Sequence, residues 1–172
     1  MKRLGREFFA QPTVEVAQRL LGKTMVFGLC HGMITETEAY VGQDDPACHA
    51  ARGLTPRNAV MFGPPGFTYV YFIYGMYHCL NFVTEREGFP GAVLIRGVTL
   101  TQPERKSLPG PGKLCKFLGI DRTHSGMDLV TSEEFYVLEE GGEVPFQATP
   151  RIGIRVGTDK LWRFIPRPSE KL

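Results

Sequence analysis

Apolar residues recur at Val14, Val16, Ala17, Leu20 and Leu21, behind Pro12 and ahead of Gly22. That spacing predicts one N-terminal helix with proline in its first turn and a glycine stop. From residue 23 onward the period shortens to two, and strands are expected at 23–30 and 33–40, turning at His31-Gly32. A second hairpin is expected from 67–73 and 78–84 around Tyr74-Gly75-Met76-Tyr77, followed by a strand at 92–98. Shorter strand-like runs fall at 134–138, 152–156 and 161–165. Thr55-Pro56-Arg57-Asn58 opens a capped helical turn ending near Phe62, Gly63-Pro64-Pro65-Gly66 is a turn, and 113–118 suits a helix led by Gly110-Pro111-Gly112. Few helices among many hairpin signals predict a mixed α/β chain of the α+β kind, built on an antiparallel sheet.

Length sharpens this picture. A chain of 172 residues suits a single domain spanning 1–172, with core enough to fold without disulfide or metal staples. Hydrophobic residues at 42% and charged residues at 22% exclude a disordered chain, and no apolar run approaches the ~20 residues of a bilayer helix. No signal-peptide core follows Met1-Lys2-Arg3, so a cytoplasmic protein is expected. The net charge of +2 does not announce nucleic acid, but acidic residues gather at 133–143. Arg151, Arg155, Lys160, Arg163, Arg167 and Lys171 gather in the tail against Asp159 and Glu170, which permits one basic face. The four cysteines, Cys30, Cys48, Cys79 and Cys115, are never at ligand spacing from one another. Their adjacent histidines are poor chelate partners, and no metal is expected.

Candidate chemistry concentrates in two places. Strict alternation along 33–40 puts Ile34, Glu36, Glu38 and Tyr40 on one face, with two carboxylates close enough to cooperate. Glutamates guarding an edge strand fit the same pattern. Asp44-Asp45 and His49 follow within reach of the same pocket. The second place is 69–77, with five aromatic residues in nine: Tyr69, Tyr71 and Ile73 share a face, and Tyr74 or Met76 must project from the tip. An exposed aromatic on a rigid hairpin can wedge between stacked bases or form a protein contact. Arg96, after four apolar residues, needs a carboxylate if buried, and Glu38 is a candidate partner. Gly110-Pro111-Gly112 resembles the turn of a helix-hairpin-helix only in part, because Pro103 interrupts the required first helix and Pro111 removes a donor.

In order along the chain stand Glu36-Thr37-Glu38-Ala39-Tyr40, His49, Thr55-Pro56-Arg57-Asn58, Tyr69-Val70-Tyr71, Tyr74-Gly75-Met76-Tyr77, Asn81 and Gly110-Pro111-Gly112-Lys113-Leu114. This set resembles the alkyladenine (3-methyladenine) DNA glycosylase family, in its short bacterial form, over most of residues 5–165. The resemblance implies a single domain whose antiparallel sheet is curved, flanked by helices and bears a protruding hairpin. It implies a monofunctional enzyme that flips damaged purines out of duplex DNA and hydrolyses the N-glycosidic bond with water, as a monomer, with no metal or nucleotide cofactor. Those purines would be 3-methyladenine and, in an order the sequence does not rank, 7-methylguanine, hypoxanthine and ethenoadenine. Carried over by position, Glu38 is the expected general base and Arg96 its helper. Tyr40, His49 and Tyr71 are the expected pocket walls, and Asn81 the expected barrier to guanine. Tyr74 is the expected intercalator, with Met76 and Tyr77 beside it against DNA. Two other classes fit the residue pattern: a single-strand or RNA-binding module using aromatics as a stacking platform, and a carbohydrate hydrolase using Glu36 and Glu38.

Overall fold

The computed structural model describes residues 2–168. Three helices, α1 (Arg6–Phe9), α2 (Thr13–Leu20) and α3 (Pro111–Leu118), accompany nine strands. These are β1 (Thr24–Phe27), β2 (Cys30–Val41), β3 (Thr68–Ile73), β4 (Tyr77–Thr84), β5 (Gly91–Gln102), β6 (Lys106–Pro109), β7 (Phe135–Leu138), β8 (Phe146–Thr149) and β9 (Arg163–Pro166). All pairings are antiparallel. The main path runs β3-β4-β5-β2-β1-β7, β6 joins β5, and β8 joins the sheet through β9 on β2. The mixed α/β class with a curved antiparallel sheet and a projecting hairpin is therefore what the chain adopts.

The curl originates in two twelve-residue strands. β2 pairs along its length with β5, but its other edge meets β1 at Cys30–Met33 and β9 at Thr37 and Glu38. β5 likewise meets β4 through Gly91–Leu94 and β6 through Gly97–Leu100. Between these halves lies a paired irregularity: Thr35 on β2 and Arg96 on β5 have no opposite number in the ladder. Such bulges bend a strand and raise its twist. They also correct the alternation. Ile34 packs in the main core, as do Thr37 and Ala39 after the bulge, whereas Glu36, Glu38 and Tyr40 face the other way. On β5, Val93 and Ile95 and then Val98 and Leu100 face the core, which leaves Arg96 on the face of Glu36. Ile34 is thus not a neighbour of the glutamates, because the extra residue changes its parity.

The main core lies on the side of the sheet covered by α1, α2 and α3. It holds Phe8, Phe9, Val16, Leu20, Ile34, Leu80, Phe82, Ile95, Leu114 and Phe164, most of them almost fully buried. A second cluster on the opposite face holds Met61, Tyr69, Tyr71, Cys79, Val83, Ala92 and Leu94.

Other boundaries move for local reasons. The first hairpin turns at Gly28-Leu29, with Phe27 opposite Cys30, rather than at His31-Gly32. Gly28 takes φ +57, which glycine tolerates without a Cβ penalty. Residues 152–156 are not a strand but an irregular segment, and β6, β8 and the short α1 were absent from the sequence expectation. The tail is not one basic face, since Arg151 and Arg163 turn inward to Asp45 and Glu36. Glu170 and Lys171 lie outside the described residues.

Candidate active site

Thr55 and Asn58 exchange hydrogen bonds, Thr55 N–H donating to Asn58 Oδ1 at 2.7 Å and Asn58 N–H to Thr55 Oγ1 at 3.3 Å. They tie together the turn that leads into a 3-10 helix at Ala59–Phe62, which has no side-chain cap. Asn58 is 3% exposed, and its amide Nδ2 donates to the carbonyls of His49 (3.2 Å) and Gly53 (3.0 Å). The motif therefore fixes the backbone beneath His49. That ring reaches Tyr69, with Nδ1 3.2 Å from the Tyr69 hydroxyl, and leans on Tyr71 with centroids 4.1 Å apart. His49 is exposed on one side, and the packing of its ring against the cavity wall together with the charge of Arg57 lowers its pKa, which favours the neutral imidazole at pH 7.

Tyr69 and Tyr71 project from β3, and Cys79 and Asn81 from β4, into one cavity of ≈ 550 Å³, where Tyr40, His49, Leu94 and Arg96 also stand. Asn81 is held by its Nδ2, which donates to the carbonyls of Tyr69 (3.2 Å) and Cys79 (3.4 Å). The N-terminus of α3 (Pro111, Gly112, Lys113) forms another part of the rim, and the segment 152–156 another wall. His49 and Tyr71 touch each other, so no ring fits between them. Tyr40 lines the same cavity.

Behind the wall sits Glu38, with no exposed surface. The Tyr40 hydroxyl donates to its Oε1 at 2.9 Å, the Ile152 backbone N–H donates to Oε2 at 2.6 Å, and Arg96 Nη1 lies 3.6 Å from Oε1. Tyr40, Arg96 and Ile152 all line the cavity, so the carboxylate is one side chain removed from it. Burial raises the Glu38 pKa, against the opposing pull of Arg96, the Ile152 N–H and the Tyr40 hydroxyl. Burial beside this carboxylate also pushes the Tyr40 phenol far above its ordinary value, so Tyr40 remains a donor. The nearest partner of Arg96 is Glu36, not Glu38: Arg96 Nε donates to Glu36 Oε1 at 2.8 Å, and Arg163 Nε meets the same oxygen at 2.8 Å.

The Asp44-Asp45 pair does not reach the cavity. Asp44 is exposed, and Asp45 is consumed by a fully buried bidentate pair with Arg151, at 2.5 and 2.9 Å. Arg151 also donates to the Ala39 carbonyl at 2.9 Å, and its guanidinium covers the Tyr40 ring at 4.8 Å. Sequence reasoning missed Arg151 and the wall that follows it. The signal available was one acid of a pair and one cation of a basic tail, 106 positions apart, which only the fold joins.

At the hairpin tip Tyr74, Met76 and Tyr77 are 76%, 68% and 46% exposed, and Tyr74 and Tyr77 also border the cavity. Tyr74 takes φ +56 and Gly75 φ +64. Tyr77 lies against Gly112, where an added Cβ would come within 2.6 Å of its ring. Among the described residues no group of three or more His, Cys, Asp or Glu is placed to hold a metal ion, and no helix is long and apolar enough to cross a membrane.

The comparisons with known proteins define a hydrolase acting on N-glycosyl bonds. The methylpurine-DNA glycosylase family matches residues 7–170, and the chain belongs to that family. Among curated relatives, one from Sodalis glossinidius is 61% identical over 161 residues, covering 94% of this chain and 95% of its own. One from Rickettsia felis is 59% identical over 162 residues, covering 94% and 92%. One from a Wolbachia of Brugia malayi is 59% identical over 161 residues, covering 94% and 95%. All three are provisionally named 3-methyladenine DNA glycosylases.

Proposed function

We propose that the protein excises 3-methyladenine from duplex DNA by turning the damaged nucleotide into the cavity and hydrolysing its N-glycosidic bond with a water aimed by Glu38. The observation that carries this is a carboxylate with no exposed surface, fixed by Tyr40 and the Ile152 N–H, directly behind an aromatic-lined cavity. The cavity volume of ≈ 550 Å³ falls within the range of small-molecule sites.

C1′ of a stacked nucleotide is out of reach, so the nucleotide has to leave the helix, at a cost of a few kcal/mol. Rings of the His49–Tyr71 pair on one side and Tyr40 on the other offset part of that loss by stacking. An alkylated purine is cationic, favours electron-rich ring faces and leaves readily, so no general acid is required. A neutral His49 avoids repelling that cation. As the bond breaks, positive charge grows on the sugar, and the Glu38 carboxylate stabilises it while accepting the proton of the attacking water. Asn81, immobilised by two backbone carbonyls, presents a rigid edge to the purine and works against the exocyclic amine of guanine. Tyr74, with Met76 and Tyr77 beside it, occupies the gap left in the stack. Hypoxanthine and ethenoadenine, which lack that amine, are further candidate substrates; 7-methylguanine keeps it and is a candidate because its cationic ring leaves more readily than ordinary guanine. The cavity lining comes from one chain, which supports the reading of an enzyme that acts on DNA as a monomer, and its proposed location is the cytoplasm.

The test is release of free base from methylated duplex DNA under single-turnover conditions. Glu38→Gln keeps the shape and removes the base, and the rate is expected to fall about 10²-fold or more. Undiminished release by Glu38→Gln removes Glu38 from the role. Tight, lesion-blind strand binding without release would favour a nonenzymatic stacking platform.

A further inference from the structure

Glu36 is not used by the chemistry above, yet it is paired with two arginines beside it. Its Oε1 accepts from Arg96 Nε and from Arg163 Nε, both at 2.8 Å, so one oxygen anchors two guanidinium groups arriving from β5 and β9. Arg163 is held a second time, by Nη1 donating to Thr149 Oγ1 at 3.0 Å, and it stands opposite Glu38 in the β2–β9 register. Arg96 occupies the bulge of β5, and its free Nη1 ends 3.6 Å from Glu38, beyond a good charge-assisted hydrogen bond.

Resting on the glycosylase reading, we propose that Glu36 is a positioning residue: anchored by Arg163, it holds Arg96 by Nε so that the guanidinium stops short of Glu38 and leaves that carboxylate able to accept a proton. A guanidinium free to swing onto Glu38 would form the short bidentate pair these groups favour, and a carboxylate so paired is a poor base. Every charged or titratable neighbour of Glu38 enters the balance. Tyr40 and Glu36 face it from β2, Arg96 from β5, Cys79 from β4 and Arg163 from β9, with the Ile152 N–H and Arg151 on the segment after β8. Among the cations of the described residues, only Arg96 has a donor within 4 Å of Glu38.

This arrangement makes the two supports act with opposite sign. Replacing Glu36 by glutamine leaves the Arg96 charge uncompensated, drives it toward Glu38 and removes a repelling carboxylate. All three effects lower the pH at which Glu38 ionises. Replacing Arg163 by glutamine leaves Glu36 to Arg96 alone, draws Arg96 away from Glu38 and removes a nearby cation, so that pH rises.

The experiment is the pH dependence of single-turnover 3-methyladenine release from methylated duplex DNA by wild type, Glu36→Gln, Arg163→Gln and Glu38→Gln. The expected result is an acid-side midpoint displaced downward by roughly one pH unit in Glu36→Gln, with a lower plateau rate, and displaced upward in Arg163→Gln. A purely structural role would lower melting temperature in both variants without moving the two midpoints apart. Midpoints that stay put, or move in the same direction, overturn the proposal. Should Glu36→Gln fail to fold, Arg163→Gln decides alone: an upward displacement supports the proposal and its absence overturns it. Full activity in Glu38→Gln refutes the glycosylase mechanism itself, an outcome distinct from loss of the opposed displacements.

Discussion

Glu38, the proposed base, is fully buried yet accepts few hydrogen bonds. Three donors approach it, but only the Tyr40 hydroxyl and the Ile152 N–H are within normal hydrogen-bond distance, and burial outweighs them to raise its pKa. Because the proposed base must be ionised, activity should fall on acidification through a midpoint above the ordinary carboxylate range. At the tip, Tyr74 sits in the left-handed region, where a non-glycine residue is strained. Tyr74→Gly therefore removes the ring without adding strain, and is the cleaner probe of intercalation than alanine. Excision should drop at least tenfold more than affinity for undamaged duplex, as measured by base release and fluorescence anisotropy; equal losses would deny Tyr74 its role. Most of these residues were recognisable from their strings alone. Tyr40, Tyr71 and Asn81 sit on strands whose local alternation is regular and line one cavity, with Glu38 behind it, bonded to the Tyr40 hydroxyl. The partnership of Arg96 with Glu36 was not recognisable, because a bulge changes which side chains adjoin and leaves no composition signal.

One level up, the segment from Arg151 to Gly157 shows why a wall of the cavity escaped the strand pattern. Its alternating Ile152, Ile154 and Val156 look like a strand, but their apolar side chains line a cavity instead of a ladder. What holds the segment is not its own backbone pairing but Arg151, locked on Asp45, Ala39 and the Gly157 carbonyl. Burial opposes the Asp45 charge, yet the Arg151 hydrogen bonds and the N–H groups of Val41 and Ala47 overcome it and lower its pKa. A depressed carboxylate pKa means that this stabilisation is complete at neutral pH. It weakens as the pH falls below the unfolded value of about 4 and is lost through the lower folded value. Asp45→Ala leaves a buried guanidinium unpaired and should cost about 3–5 kcal/mol. Urea unfolding at pH 7 measures that loss, and the acid-sensitivity attributable to Asp45 should vanish in the variant. A loss below about 1 kcal/mol would mean that the pair is not what secures the wall. The Ile152 N–H donates to Glu38 from the residue next to Arg151, so release of the segment should lower base release as well.

For the whole molecule, a net charge of +2 is modest for a DNA-binding enzyme, and Arg151 and Arg163 are already paired internally. The exposed cations bordering the cavity are Lys113, at the start of α3, and Arg155, in the segment opposite. If both meet phosphates, Lys113→Gln and Arg155→Gln should each reduce the slope of log affinity against log salt by about 1, with little sequence dependence. Binding titrations at several salt concentrations give this slope directly, and an unchanged slope would exclude that cation from the DNA face.

The unpaired Thr35 and Arg96 bear on the molecule's history as well as its shape. Since the additional residue on one strand and that on its neighbour fall on opposite sides of the Glu36–Gly97 rung, the rungs beyond the bend come back into step. Loss of either one alone would throw every later rung out of phase and turn the opposite side chains inward. Length changes among relatives at this bend should therefore come as matched pairs, one deletion answering another sixty residues away.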